Sequence, residues 1–156
     1  MQEAEDLGFV AHIAAIDGSV PVLHFFDGWR TSNEMSTIDL VDYEKISPLV
    51  NWDKVNAFRA QAMNPEHPDL RGSAQNADVY FQNREAANRF YDAFPAVVQN
   101  VMDRYAAVTG RQYHLFDYVG VPDAEIVLVS MASSCEVIDE TLSFLNAHGY
   151  KAGVIK

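Results

Sequence analysis

The stretch after Ala124 constrains the fold most. Glu125-Ile-Val-Leu-Val-Ser-Met131 reads as a buried strand, Ser134 to Ala147 as a helix, and Lys151-Ala-Gly-Val-Ile155 as the start of another strand. Strand, helix and strand within about 30 residues form a βαβ unit, whose strands are expected to be parallel and its crossover right-handed. The unit commits the chain to the α/β class. Its last strand breaks off at Lys156, so the domain it opens is expected to be incomplete.

The rest of the chain reads less evenly. From about Ala4 to Ile16, Leu7, Val10, Ala11 and Ala14 recur at helical spacing. Glu3, Glu5 and Asp6 complement the positive end of that helix, and Gly18 is the expected left-handed C-cap. Val20-Pro-Val-Leu-His-Phe-Phe26 is almost continuously apolar, as strands buried on both faces of a parallel sheet are. Asp27-Gly28 ends it. Ser47-Pro48 resembles a helix start, and Asp53 to Ala62 a short amphipathic helix. Met63 to Ala77, with Asn64-Pro65, His67-Pro68 and Arg71-Gly72, reads as a long loop. Gln82 to Thr109 holds a 3.6-residue period from Ala87 to Val108 that Pro95 interrupts, predicting two helices or one bent one ending at Gly110. Tyr113 to Val119 reads as a short strand, and Gly120 to Asp123 as a turn.

Composition narrows the functions. The 156 residues carry 22 acidic and 11 basic side chains, a net charge of −11, which argues against a nucleic-acid partner. With 1 cysteine there is no disulfide framework and no self-contained iron–sulfur cluster. The acidic first residues show no secretory signal, and no apolar run approaches the roughly 20 residues that span a bilayer. A cytoplasmic chain with no membrane partner is the expectation.

Two segments could carry chemistry. The polar run after the predicted strand, Asp27 and then Arg30, Thr31, Ser32, Asn33 and Glu34, lies at a strand's carboxyl end, where open α/β sheets bind ligands. A solvated loop whose Thr31 or Ser32 merely caps a helix explains the same residues. The turn Ser130-Met-Ala-Ser-Ser-Cys-Glu136 is the second. Ser133 and Glu136 fit a capping box, and the helix start with Ser133, Ser134, Cys135 and Glu136 is where an anion could bind. It lacks the glycines that let backbone approach a phosphate, which favours a plain cap. Cys135 has no basic neighbour in sequence, which favours an inert thiol over a redox one. His12, His24, His67, His114 and His148 show no metal-ligand spacing, so no metal site is expected. His24 fits a hydrogen-bonded core imidazole, and His67 a contact with a partner. Glu136, Asp139 and Glu140 share one helix face and read as solvated surface. Asp27-Gly28 superficially matches the Gly-Asp-Gly of thiamine enzymes, but Phe26 precedes it and the paired asparagines are absent.

Longer motifs carry a resemblance. Glu5-Asp-Leu-Gly-Phe-Val-Ala-His-Ile-Ala-Ala-Ile16, His24-Phe-Phe-Asp-Gly-Trp-Arg-Thr-Ser-Asn-Glu34, Asn64-Pro-Glu-His-Pro68, Arg71-Gly-Ser-Ala-Gln-Asn76, Tyr80-Phe-Gln82, Arg84-Glu-Ala-Ala-Asn88, Thr109-Gly-Arg-Gln-Tyr-His-Leu-Phe116 and Met131-Ala-Ser-Ser-Cys-Glu136 resemble the pyruvate:ferredoxin (flavodoxin) oxidoreductase family across essentially the whole chain. The departures are Trp29 where Phe is usual, Asn33 where His is usual, and Ala132 where Gly is usual.

The resemblance implies an enzyme that oxidises pyruvate with coenzyme A to acetyl-CoA and CO₂, using thiamine diphosphate with Mg²⁺. Electrons would pass through [4Fe–4S] clusters to ferredoxin or flavodoxin, in a parent that is a homodimer. It further implies that residues 1–62 end a thiamine-pyrimidine-binding domain, 63–123 form a linker loop and helices, and 124–156 begin a transketolase C-terminal-like domain. The expected architecture is therefore α/β, with partial parallel sheets and flanking helices in two incomplete domains joined by a long irregular and helical connection. The family's catalytic residues would lie outside this chain, Asp27–Glu34 would be active-site wall, and the fragment alone would bind none of the cofactors and be inactive. The rival expectation is a stand-alone, non-catalytic structural or binding module of α/β type.

Overall fold

A computed structural model describes residues 1–68 and 74–156. The expected Arg71-Gly72 turn and part of the Arg71–Asn76 motif therefore lie outside the described residues. The backbone divides into two compact units that do not follow chain order. One comprises Met1–Asp6, His24–Asp39 and His114–Lys156, the other Leu7–Leu23 and Leu40–Tyr113.

The second unit is helical. It takes most of α1 (Gln2–Gly18), then α3 (Tyr43–Ile46) with a 3₁₀ turn at Ser47–Leu49, α4 (Trp52–Ala60) and α5 (Tyr80–Thr109). Val10, Ile13 and Ala14 on α1 meet Val101, Met102 and Tyr105 on α5, with Ile46 between them. Each fully buried aliphatic side chain of this kind contributes about 1.5–3 kcal/mol. The helix start at Asn51 is capped by its own side chain, which accepts the Lys54 amide at 3.1 Å.

Two details depart from the sequence pattern or choose between its options. Gly18 is not the left-handed cap: α1 runs through it, and Ser19 takes the positive φ of 53°. Gly18 is needed for space, because a Cβ there would come 2.5 Å from Cδ2 of Phe94. Pro95 does not divide α5, which continues as one 30-residue helix. At its end Gly110 adopts φ 76°, the left-handed cap expected there. At α1's end, Arg104 donates from Nη1 to the Leu49 carbonyl at 3.0 Å and from Nη2 to Asp17.

The first unit holds a three-stranded sheet in the order β1–β3–β2, from β1 (Tyr118–Gly120), β2 (Ile126–Val129) and β3 (Ala152–Ile155). β2 and β3 are parallel, with Leu128 opposite Val154, and α6 (Ser134–Ala147) connects them, as the βαβ pattern predicts. The sheet is mixed rather than parallel throughout, because β1 runs antiparallel to β3, with Val119 opposite Val154. Leu142 and Ile138 of α6 cover Ala152 and Val154. Asn146 clips α6 to β3, donating to the Ala152 carbonyl and accepting its amide, both at 3.0 Å. Gly120 and Gly153 face each other where strands cross closely: a Cβ on Gly120 would lie 2.4 Å from the Gly153 Cα.

Two expected buried strands are not buried. β2 is an edge strand with exposed side chains, since β3 is its only neighbour among the described residues. Val20–Phe26 forms no strand at all. An extended segment becomes a strand only when neighbouring backbone takes its amides and carbonyls, and no described strand pairs with this one. Leu23, Phe25 and Phe26 are consequently exposed.

Candidate functional site

The first unit brings the two candidate segments together. Asp27 begins a tight turn into α2 (Arg30–Asn33). Its Oδ1 accepts the amides of Arg30 at 2.9 Å and Thr31 at 3.2 Å, while Oδ2 accepts the Thr31 hydroxyl at 2.8 Å. A short acidic side chain before a helical turn satisfies amides that have no partner within it. Sequence reasoning assigned the capping to Thr31 or Ser32, whereas the acceptor is Asp27. Ser32 and Asn33 instead donate to the Gly28 carbonyl, Asn33 through Nδ2 at 3.2 Å.

The second segment reaches the same carboxylate. Ser133, in the turn between β2 and α6, stands near Asp27 and helps to keep it ionised. The carboxyl is held far below the usual carboxylate range, first by the Thr31 hydroxyl, then by the Thr31 amide, with smaller contributions from Ser133 and Arg30. Asp27 is thus ionised across the neutral range and unsuited to proton transfer there. Arg30 donates from Nε to Glu34 Oε1 at 2.9 Å, and that bond is the chief cause of its raised pKa, with Glu136 and Asp27 adding lesser attractions.

The capping box is not formed. Ser133 has helical φ and ψ and makes no side-chain cap bond. Its neighbour Ser134 donates to the Met131 carbonyl at 2.7 Å and shares a hydrogen bond with Ser130 at 2.7 Å. The turn forces Ala132 to φ 59°, a conformation that only glycine adopts without strain. Cys135, half-buried, donates its amide to the Ala132 carbonyl at 3.1 Å.

His24 is hydrogen-bonded but is not a core residue. It is exposed, with Nε2 2.8 Å from the Ala4 carbonyl, because the strand expected to bury it does not form. Asp139 leaves the solvated stripe to accept from Lys156 Nζ at 2.7 Å. His67 lies in an exposed turn bridged to Asn64. Among the described residues, no three His, Cys, Asp or Glu side chains gather where a metal ion could be held. Among those residues no helix is long and apolar enough to cross a membrane.

Known proteins resemble this chain along its length. The family described as "Pyruvate flavodoxin/ferredoxin oxidoreductase, thiamine diP-bdg" matches residues 1–103. The pyruvate:ferredoxin oxidoreductase of Moorella thermoacetica is 57% identical over 156 residues, covering 100% of this chain and 13% of that protein. The pyruvate-flavodoxin oxidoreductase of Enterobacter agglomerans is 50% identical over 155 residues, 99% of this chain and 13% of that protein. The pyruvate dehydrogenase [NADP(+)] of Cryptosporidium parvum is 47% identical over 157 residues, 100% of this chain and 8% of that protein. The chain spans about an eighth or less of the length of these curated relatives.

Proposed function

The chain belongs to the pyruvate flavodoxin/ferredoxin oxidoreductase family, in its thiamine-diphosphate-binding part, and on that premise we propose that it is a segment of a cytoplasmic enzyme oxidising pyruvate with coenzyme A to acetyl-CoA and CO₂. Ferredoxin or flavodoxin receives the electrons, and the parent is a homodimer. The observation that carries this reading is identity of 57% over 156 residues, which includes both candidate segments.

Within that enzyme, residues 1–62 close a thiamine-pyrimidine-binding domain, 63–123 connect, and 124–156 open a transketolase C-terminal-like domain. The family match runs past residue 62 to residue 103 and stops before the βαβ unit, which supports only the separation of that unit. Asp27, Arg30, Thr31, Ser32, Asn33 and Glu34 line the active-site wall, with Ser133, Ser134, Cys135 and Glu136 behind them. The described parts of the expected 63–77 loop, residues 63–68 and 74–77, pack against the rest of the parent.

The residues here do not fit the cofactors themselves. A [4Fe–4S] cluster takes four thiolates, and the sequence has 1 cysteine. The carboxylate nearest to a diphosphate–Mg²⁺ motif in sequence, Asp27, already accepts the Arg30 and Thr31 amides and the Thr31 hydroxyl. Thiamine diphosphate, Mg²⁺ and clusters are therefore held by other parts of the parent, and this segment contributes walls and scaffold.

Replacing Arg30 with Ala in the full-length enzyme tests the wall. A raised KM for pyruvate is expected, and unchanged pyruvate kinetics would sink it. The isolated chain is expected neither to oxidise pyruvate nor to bind thiamine diphosphate; tight binding by calorimetry overturns that. Coding sequence on either side of this frame containing the thiamine and cysteine motifs favours the enzyme over a stand-alone module.

A further inference from the structure

The loop that carries Arg30 has little apolar packing to hold its shape. α2 is four residues long, none of them buried, and a helix that short does not persist in water by itself. Its order comes from polar bonds, and these converge on one place. Asp27 Oδ1 takes the amides of Arg30 and Thr31 at 2.9 and 3.2 Å, and Oδ2 takes the Thr31 hydroxyl at 2.8 Å. The backbone on both sides of the Arg30 Cα is therefore fastened to a single carboxylate. One turn on, Glu34 holds the Arg30 Nε at 2.9 Å. The guanidinium is fixed at its root and along its side.

Thr31 is the residue that locks this arrangement. Its hydroxyl is the side-chain donor to Oδ2, so it orients the carboxylate plane that Oδ1 then presents to the two amides. We propose that Thr31, acting through Asp27, is a positioning residue that sets the direction in which Arg30 presents its guanidinium to an anionic group of the substrate. A planar guanidinium recognises a carboxylate or phosphate best when it is aimed in advance, because the ordering cost is then met before binding. The proposal rests on the reading of Asp27–Glu34 as active-site wall.

The test uses the full-length enzyme with Thr31→Val, which keeps the shape and removes the hydroxyl, and Thr31→Ser, which keeps the hydroxyl. Hydrogen exchange at the Arg30 and Thr31 amides is followed by mass spectrometry, alongside kcat and KM for pyruvate. In Thr31→Val those amides should exchange about tenfold faster, the scale of one charge-assisted hydrogen bond. KM should rise severalfold with kcat little changed, and Thr31→Ser should restore both. Asp27→Asn, which keeps one acceptor, should move both readouts the same way by less. Unchanged exchange in Thr31→Val overturns the clamp itself. Faster exchange with unchanged pyruvate kinetics instead overturns the active-site-wall reading and the substrate-facing role with it.

Discussion

The ring of Phe94 lies against the Cα of Gly18, leaving no room for a side chain there: a Cβ would sit 2.5 Å from Cδ2 and 2.7 Å from Cε2. The contact joins the end of α1 to the middle of α5, beside the core of Val10, Ile13, Val101 and Tyr105. Gly18→Ala should therefore destabilise the helical unit by about 1–3 kcal/mol, the usual cost of overpacking, despite alanine's better helix propensity. Urea unfolding followed by helical circular dichroism measures this. A neutral or stabilising result would show that Phe94 swings away freely.

Ala132 predicts the opposite sign. At φ 59° it sits where a Cβ costs roughly 1–2 kcal/mol, and the family resemblance places glycine at this position. Glycine also gains about 0.5–1 kcal/mol of unfolded-state entropy, which offsets part of the relief. Ala132→Gly should leave a net stabilisation of up to ~1 kcal/mol, seen as a small rise in the unfolding midpoint.

Asn146 makes both of its bonds to one residue, taking the Ala152 amide and giving to its carbonyl at 3.0 Å. Asn146→Ala strands the amide of buried Ala152 and should cost about 1–3 kcal/mol. Asn146→Asp keeps the acceptor yet sets a carboxylate oxygen against the carbonyl, and should be destabilising too. Exchange at the Ala152 amide reports the difference directly.

The Asp27 carboxyl supplies a pH prediction. Its folded-state pKa lies below the ordinary value of about 3.9, so its contribution to stability is fully present above that value. It is lost only as pH falls through the folded pKa. The ¹³C shift of this carboxyl should stay flat from about pH 7 to pH 3, and a midpoint near 4 would show that the Thr31 bonds do not hold in solution.

Local rules made much of this fold readable. α6 starts at Ser134 and ends at Ala147 as its pattern predicts, and Gly110 caps α5 because a helix end needs a left-handed residue with no Cβ. The failures are instructive because each needed information from elsewhere in the chain. Val20–Phe26 has a strand's composition, but pairing is a property of neighbours. Gly18 has a cap's position, but its use is set by Phe94, 76 residues away. Ser133 and Glu136 have a capping box's spacing, yet the serine takes helical dihedrals and makes no side-chain cap bond. Both candidate segments were visible as polar runs, Asp27 among them, but the bonds that fasten Arg30 and Thr31 to its carboxylate were not.

The order β1–β3–β2 also has a consequence for synthesis. The middle strand is the last of the three to leave the ribosome, and β1 and β2 make no ladder with each other. Residues emerge at about 5–20 per second. Each nascent chain therefore passes through an interval in which β1 and β2 are present and β3, the neighbour of both among the described residues, is not. Val154, with 0% exposure at the centre of that sheet, closes the interval, so the sheet assembles in a single late step rather than strand by strand.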